Sequence, residues 1–314
     1  MSIDNAVNQN AVTPHRVPKK KKNKYARQDN FWGYVLISPQ VLGLLCFTIF
    51  PIFMSFYLCF TNWDFINKPE LVGLQNFKYV MKDEVFVKTI WNTLIFVVGI
   101  VPLTMAISLG LAMLTNKKIK GLNFYKGAFF LPNITTTVAI ALTWYWLFAS
   151  DFGIINQVLE MAGIKGPGWM SDPSWSKVAI IIMNSWRMMG YYYLIFLAGL
   201  KGIPDIYYEA ASIDGAGKFR AFRHITLPLL SSTTFFVFIT MLIGVFNIFE
   251  EPFVLTRGGP AYSTYTLSMY IYFKAFKEFN MGEAAVASIV LFFLLGSVTA
   301  LNFKLSKKWV NYIE

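Results

Sequence analysis

Six runs of about 20 mainly apolar residues constrain this chain most, because crossing a bilayer core of ~30 Å takes about that many helical residues. They extend approximately from Phe31 to Phe60, Thr89 to Thr115, Phe124 to Ala149, Val178 to Leu200, Leu229 to Phe249 and Ala284 to Phe303. Only 14% of the 314 residues are charged, against about 25% in a soluble domain. The expected fold is an all-α membrane protein of six transmembrane helices. Pro51, Pro102 and Pro132 fall inside the first three runs. A helical bundle accommodates such prolines where neighbouring helices or water satisfy the freed carbonyls, and helix bending is the expected consequence.

The distribution of Lys and Arg orients these spans. Placing 1–30, the second and fourth loops and the C-terminal segment on one side puts 18 of the 28 basic residues there. The opposite side holds nine, and Arg187 alone lies within a span. Basic residues stay on the cytoplasmic side, so both termini are expected there. The net charge of +11 then belongs to a membrane surface rather than to a nucleic-acid reader. Residues 1–30 read as a disordered basic cytoplasmic tail, residues 31–304 as the transmembrane domain and residues 305–314 as a second cytoplasmic tail. The first apolar run is too long for a cleaved signal and reads as a retained anchor.

Metal and redox chemistry find little material. Cys46 and Cys59 share the first run, roughly 20 Å apart on a helix at about 1.5 Å per residue, beyond disulfide reach. With only His15 and His224 besides, no zinc ligand set is apparent. No intramembrane acid pair or Ser/His pair points to catalysis. Acids that cluster in loops, with no internal repeat, argue against an ion-coupled secondary transporter.

Between the fourth and fifth runs, residues 203–228 read IPDIYYEAASIDGAGKFRAFRHITLP. Pro204 suits the first turn of a short helix, on which Ile206, Ala210 and Ile213 share a face. Gly215 and Gly217 are expected to stop that helix and reverse the chain. The product is a helix, a turn and a second helix, exposing small and apolar groups with one acid, Glu209.

The run EAASIDGAGKFRAFRHITLPLL resembles the EAA loop of ABC importer permeases. Glu209-Ala210-Ala211, Gly217 and Ile225-Thr226-Leu227-Pro228 fill the positions of that pattern. The segments 71–77 (LVGLQNF), Asn92-Thr93, 129–132 (FFLP), 197–200 (LAGL) and 255–260 (LTRGGP) are similar to carbohydrate importers of the maltose and glycerol-3-phosphate type. The last, with Thr266 to Tyr272, resembles the first permease of the pair such systems use. The resemblance implies a type I ABC importer transmembrane domain in the bacterial inner membrane, forming half of a pathway with a second related permease. It also implies two ATPase subunits that use ATP and magnesium, and an extracytoplasmic solute-binding protein that delivers an oligosaccharide, acidic ones included. A polar non-sugar solute is the alternative. The coupling role passes to Glu209, Ala210, Ala211, Asp214, Gly215 and Gly217.

Energy must then come from outside this chain. The fragment Gly215-Ala216-Gly217-Lys218 is followed by Phe219, and Ser212 stands where a Walker A motif begins with glycine. No cofactor is expected on the chain, and no enzymatic activity of its own. The intramembrane Arg187 is expected either to pair with Glu250 or Glu251 or to face the solute. Alignment back from Pro204 places Trp186, Arg187, Met188 and Tyr191 where the maltose-type permease lines its sugar site. Met241, Gly244, Val245 and Ile248 occupy the facing positions and lack that relative's polar groups, although Asn247 beside them supplies an amide. Aromatic faces suit pyranose rings; helix packing is the alternative use of the same stripe.

Overall fold

The computed structural model describes residues 24–117 and 120–311. It divides into two compact units, residues 1–54 and 55–314. The first unit holds α1 (Lys24–Leu44) and a π-turn (Leu45–Ile49), with the helix continuing as α2 (Phe50–Leu58). Pro51 falls just after the π-turn; widening a helix by one residue there relieves the clash of the proline ring with the preceding turn. Of the expected disordered tail, residues 1–23 lie outside the described residues. Residues 24–30 are helical instead, since no Gly or Pro interrupts them and an adjoining long helix supplies the nucleus.

In the second unit a two-residue antiparallel ladder pairs β1 (Thr61–Asn62) with β2 (Glu70–Leu71), Thr61 opposite Leu71. After α3 (Gln75–Lys82) and α4 (Glu84–Thr115), the chain forms α5 (Leu122–Ile134), α6 (Thr137–Leu147) and α7 (Ile154–Met161). Next come α8 (Pro173–Lys201), α9 (Ile206–Ile213), α10 (Lys218–Ala221), a π-turn (Phe222–Thr226) and α11 (Leu227–Leu229). The chain finishes with α12 (Ser231–Phe246), α13 (Glu250–Thr256), α14 (Leu267–Phe276) and α15 (Met281–Ser306). The starts are written locally. Asp83 caps α4 by accepting from Val85 N, and Asp172, followed by Pro173, caps α8 by accepting from the backbone N–H groups of Ser174 and Trp175.

The six apolar runs do not become six straight helices. Among the described residues three helices are long and apolar enough to cross a membrane: Asn30–Leu58, Glu84–Thr115 and Met281–Ser306. The third expected span is α5 and α6, bent by 96° at the break between them. The fifth is α12, which begins just after a 65° bend at Leu230 from the segment Lys218–Leu229. The fourth lies within α8, 29 residues long but carrying Lys177, Asn184, Arg187 and Lys201, which dilute its hydropathy. Pro132 lies inside α5, and the break comes three residues after it, at Thr135, whose extended backbone ends the helix.

α4 and α8 pack along most of their length, with α5 and α12 closing the core. Buried polar groups tie these helices together: Ser108 donates to the Met189 carbonyl at 2.9 Å, and the Thr115 and Tyr193 hydroxyls bond at 3.0 Å. The segments whose spelling drew notice in the sequence hold the opposite end. Asn76 donates to the carbonyls of Cys59 and Thr61. Asn92 donates to those of Tyr262 and Tyr265, while Thr93 accepts from Leu267 N. On the same side the Lys274 ammonium bridges Glu278 and Glu283 at 2.8 and 2.9 Å. Burial alone would lower its pKa, but the two carboxylates reverse the sign and raise it.

Among the described glycines the tightest site is Gly190 on α8, where a Cβ would run into the backbone carbonyl of Phe129 on α5. Backbone cannot yield as a flexible side chain does, so Gly190→Ala should cost about 1–3 kcal/mol. In detergent, the apparent melting temperature of the variant should fall; an unchanged value would show that α5 and α8 are less tightly apposed.

Candidate functional sites

The loop between α8 and α12 is anchored at its base and bare at its tip. Ile203 is buried in the core, and Tyr208, half-buried against it, bonds Thr226 through its hydroxyl at 3.0 Å. Pro204 stands ahead of α9 rather than in its first turn, with its carbonyl accepting from Tyr207 N. The helix ends in a Schellman arrangement: Ala216 N donates to the Ala211 carbonyl at 2.8 Å, and Gly215 N to that of Ser212 at 3.1 Å. Gly215 takes φ +71° there, the left-handed region that favours glycine.

Gly217 departs from expectation. Its backbone is extended, with φ −69° and ψ 164°, and it precedes α10 without supplying a left-handed turn. A Cβ added there would meet open space, so nothing inside this chain requires glycine. Glu209, Ala210, Asp214, Gly215 and Gly217 are all exposed, and Ala211 is half-buried. Ile213 is 87% exposed and Phe219 76%; apolar side chains so placed mark a surface that meets something.

The second site lies where α8, α12 and α13 converge. A cavity of about 330 Å³ is lined by Arg187, Met188, Asn247, Glu250 and Glu251, with Asn184, Thr137 and Phe249 completing its polar and aromatic wall. Arg187 Nη2 donates to Glu251 Oε1 at 2.6 Å, joining α8 to α13. Both groups are largely buried, with side-chain exposures of 18% and 6%. Glu250 lines the cavity from the exposed side. Asn247 is exposed and donates from its amide nitrogen to the Ile243 carbonyl.

The aromatic candidates lie elsewhere. Trp186 lines an adjoining cavity of about 320 Å³ between α5, α6 and α8, in edge contact with Trp144 at 5.5 Å. Tyr191 lines neither cavity and rests against Tyr192 at 5.1 Å. Met241 is buried in the core. Sequence reading passed over Asn184, only 2% exposed, whose Oδ1 has no hydrogen-bond partner. Arg187 Nε is likewise unpartnered. The signal was present: an amide three residues before an arginine shares its helical face. Among the described residues no group of His, Cys, Asp and Glu is placed to hold a metal.

Residues 103–310 match the family described as the binding-protein-dependent transport system inner membrane component. The chain is 37% identical over 306 residues to a probable ABC transporter permease protein, YesP, of Bacillus subtilis, covering 96% of this chain and 98% of that protein. It is 30% identical to AmyD of Thermoanaerobacterium thermosulfurigenes, a probable permease protein of a starch degradation products transport system, covering 92% of this chain and 98% of AmyD. A crystal structure of a bacterial ABC transporter involved in import of the acidic polysaccharide alginate superposes with a TM-score of 0.79 at 21% identity, covering 91% of this chain and 99% of that one. The fold is thus that of an ABC importer transmembrane domain. The chain belongs to the family of inner-membrane components of binding-protein-dependent transport systems, as a permease subunit rather than an enzyme.

Proposed function

We propose that this permease imports an oligosaccharide, neutral or acidic, and that α9 is the point at which a partner ATPase drives it. The observation carrying this reading is the loop itself: a short helix held at its base by Ile203 and Tyr208, bare over its EAA face, on a chain with no Walker A motif. Relatives described as handling starch degradation products, lactose and arabinooligosaccharides support the solute class. Two ATPases, a second permease and a solute-binding protein complete the machine, with six membrane crossings and both termini cytoplasmic.

The geometry supplies a lever. α9 stands between the end of α8 and the start of α12. Arg187 lies 14 residues before Lys201 on α8, and Gly244 lies 13 residues after Ser231 on α12. At about 1.5 Å per residue, each helix carries motion roughly 20 Å from the loop to the cavity. ATPase closure pushes α9, both helices shift together, and the cavity opens outward; ATPase opening reverses this. Asn184 and Arg187 both line this cavity and bring an amide and a guanidinium to its wall, groups that hydrogen-bond sugar hydroxyls.

Gly217→Leu, which fits its own loop, should assemble normally yet reduce ATP-driven uptake at least tenfold; normal uptake would remove Gly217 from the coupling surface. Gly215→Ala acts differently, straining the left-handed turn at a cost of about 1–2 kcal/mol.

Arg187→Ala leaves Glu251 buried without its partner, destabilising the protein by about 3–5 kcal/mol. The double variant R187M/E251M removes both charges and should recover stability in a thermal-shift assay while uptake stays at least tenfold down. Wild-type uptake in the double variant would make the pair purely structural.

A further inference from the structure

The ends of three helices enclose a basic cavity at the root of the α9 loop. α4 ends at Thr115, α5 begins at Leu122 and α8 ends at Lys201. Between them lies a space of about 490 Å³ whose wall includes Asn116, Lys117, Leu122, Lys201, Pro204 and Asp205. It is larger than the Arg187 cavity and lies 14 residues from it along α8.

Nothing within the chain uses the two lysines. Among the described residues neither ammonium forms an ion pair, and Asp205, on the same wall, is not within ion-pair distance of them. They are not needed as helix caps either. Gly202 N takes up the carbonyls of Ala198 and Gly199, Ile203 N takes up that of Leu200, and the Thr115 hydroxyl bonds those of Leu111 and Ala112. Two lysines against one aspartate leave the wall with a single positive charge. The start of α5 has the same sign: Gly121, at φ +76°, gives it no side-chain cap, and an uncapped helix start favours an anion.

Depth decides which anion. Leu114 on α4 and Phe124 on α5, close in sequence to the cavity wall, are 68% and 75% exposed, as side chains that meet acyl chains are. Tyr125, 6.0 Å from Phe124 ring to ring, is of the type that concentrates where the bilayer meets water. A polar cavity at the ends of these helices therefore lies at headgroup level. On the orientation proposed above it belongs to the cytoplasmic leaflet, where basic pockets between helices hold anionic headgroups. A phosphodiester brings one negative charge to the lysines, and the Asn116 amide and Asp205 carboxylate suit the hydroxyls of a glycerol headgroup. A zwitterionic lipid brings no net charge to a wall that carries one.

We infer that this cavity binds the phosphate headgroup of an anionic phospholipid of the phosphatidylglycerol type. Pro204 and Asp205 lead directly into α9, so the lipid touches the root of the proposed coupling helix. The inference is independent of the solute.

The test is native mass spectrometry of the complete transporter titrated with phosphatidylglycerol, phosphatidylethanolamine and phosphatidylcholine of matched acyl chains. Each lysine facing an anionic headgroup contributes about fivefold, so the wild type should take its first phosphatidylglycerol at least tenfold more tightly than either zwitterionic lipid. K117Q/K201Q should bring that ratio within twofold, K117R/K201R should keep it, and K307Q/K308Q, which removes charge from the C-terminal segment, should leave it unchanged. An assembled K117Q/K201Q complex with the wild-type ratio overturns the site, as does an equal loss in K307Q/K308Q. A phosphatidylglycerol with a photoreactive headgroup tests the wild type without substitution: crosslinks at the cavity wall support the site, and crosslinks confined to other segments overturn it. Two other occupants have their own signatures. Inorganic phosphate that displaces the lipid more fully than chloride at the same ionic strength reveals a site for a soluble anion, and carbodiimide coupling of Lys117 or Lys201 to an ATPase carboxylate reveals a protein contact; either result overturns the lipid assignment.

Discussion

A polar group inside a hydrocarbon slab has no water to fall back on, and this constraint governs the architecture from the helix packing to the solute cavity. Ser108 and the Thr115–Tyr193 pair meet it by bonding across helices. Arg187 meets it through Glu251. The elbow after Ile134 borders two cavities, through Thr137 and through Thr135. Positions that would be defects in a simple anchor are thus each given a polar partner or a cavity.

The same economy appears at the driving end. α9 contributes little to the core beyond Tyr208, and apart from the half-buried Ala211 its remaining side chains are exposed. The loop is firmly rooted at Ile203 and bare at Gly217, and the Schellman turn and the Tyr208–Thr226 bond hold its helix at both ends, as the proposed coupling role requires. The π-turn from Phe222 to Thr226 lies between this helix and α12, a type of irregularity often found at functional sites.

Much of this was legible in the sequence because hydropathy, charge bias and the EAA spelling are local signals. The loop's helix, its Gly215 stop and the unusual position of Arg187 followed from neighbouring residues alone. Three matters were not legible. Hydropathy counts apolar residues but does not register a 96° bend, so α5 and α6 read as one span. The linear order of Trp186, Arg187 and Tyr191 did not reveal that Trp186 and Arg187 line different cavities and Tyr191 neither, since successive helical residues point about 100° apart. Asn184 was hidden because an amide in an apolar helix gains meaning only when its neighbours fail to satisfy it. Gly217 shows the converse: a glycine expected to serve the backbone has an ordinary extended conformation with open space around it.

The most direct test of the mechanical account is the reactivity of a single cysteine at Asn247, in a chain with Cys46 and Cys59 replaced by alanine, toward a membrane-impermeant thiol reagent. With the complete transporter in oriented vesicles, the account predicts labelling from the extracytoplasmic side when ATP holds the ATPases closed and from the cytoplasmic side when nucleotide is absent. Labelling whose side does not change with nucleotide state would contradict it.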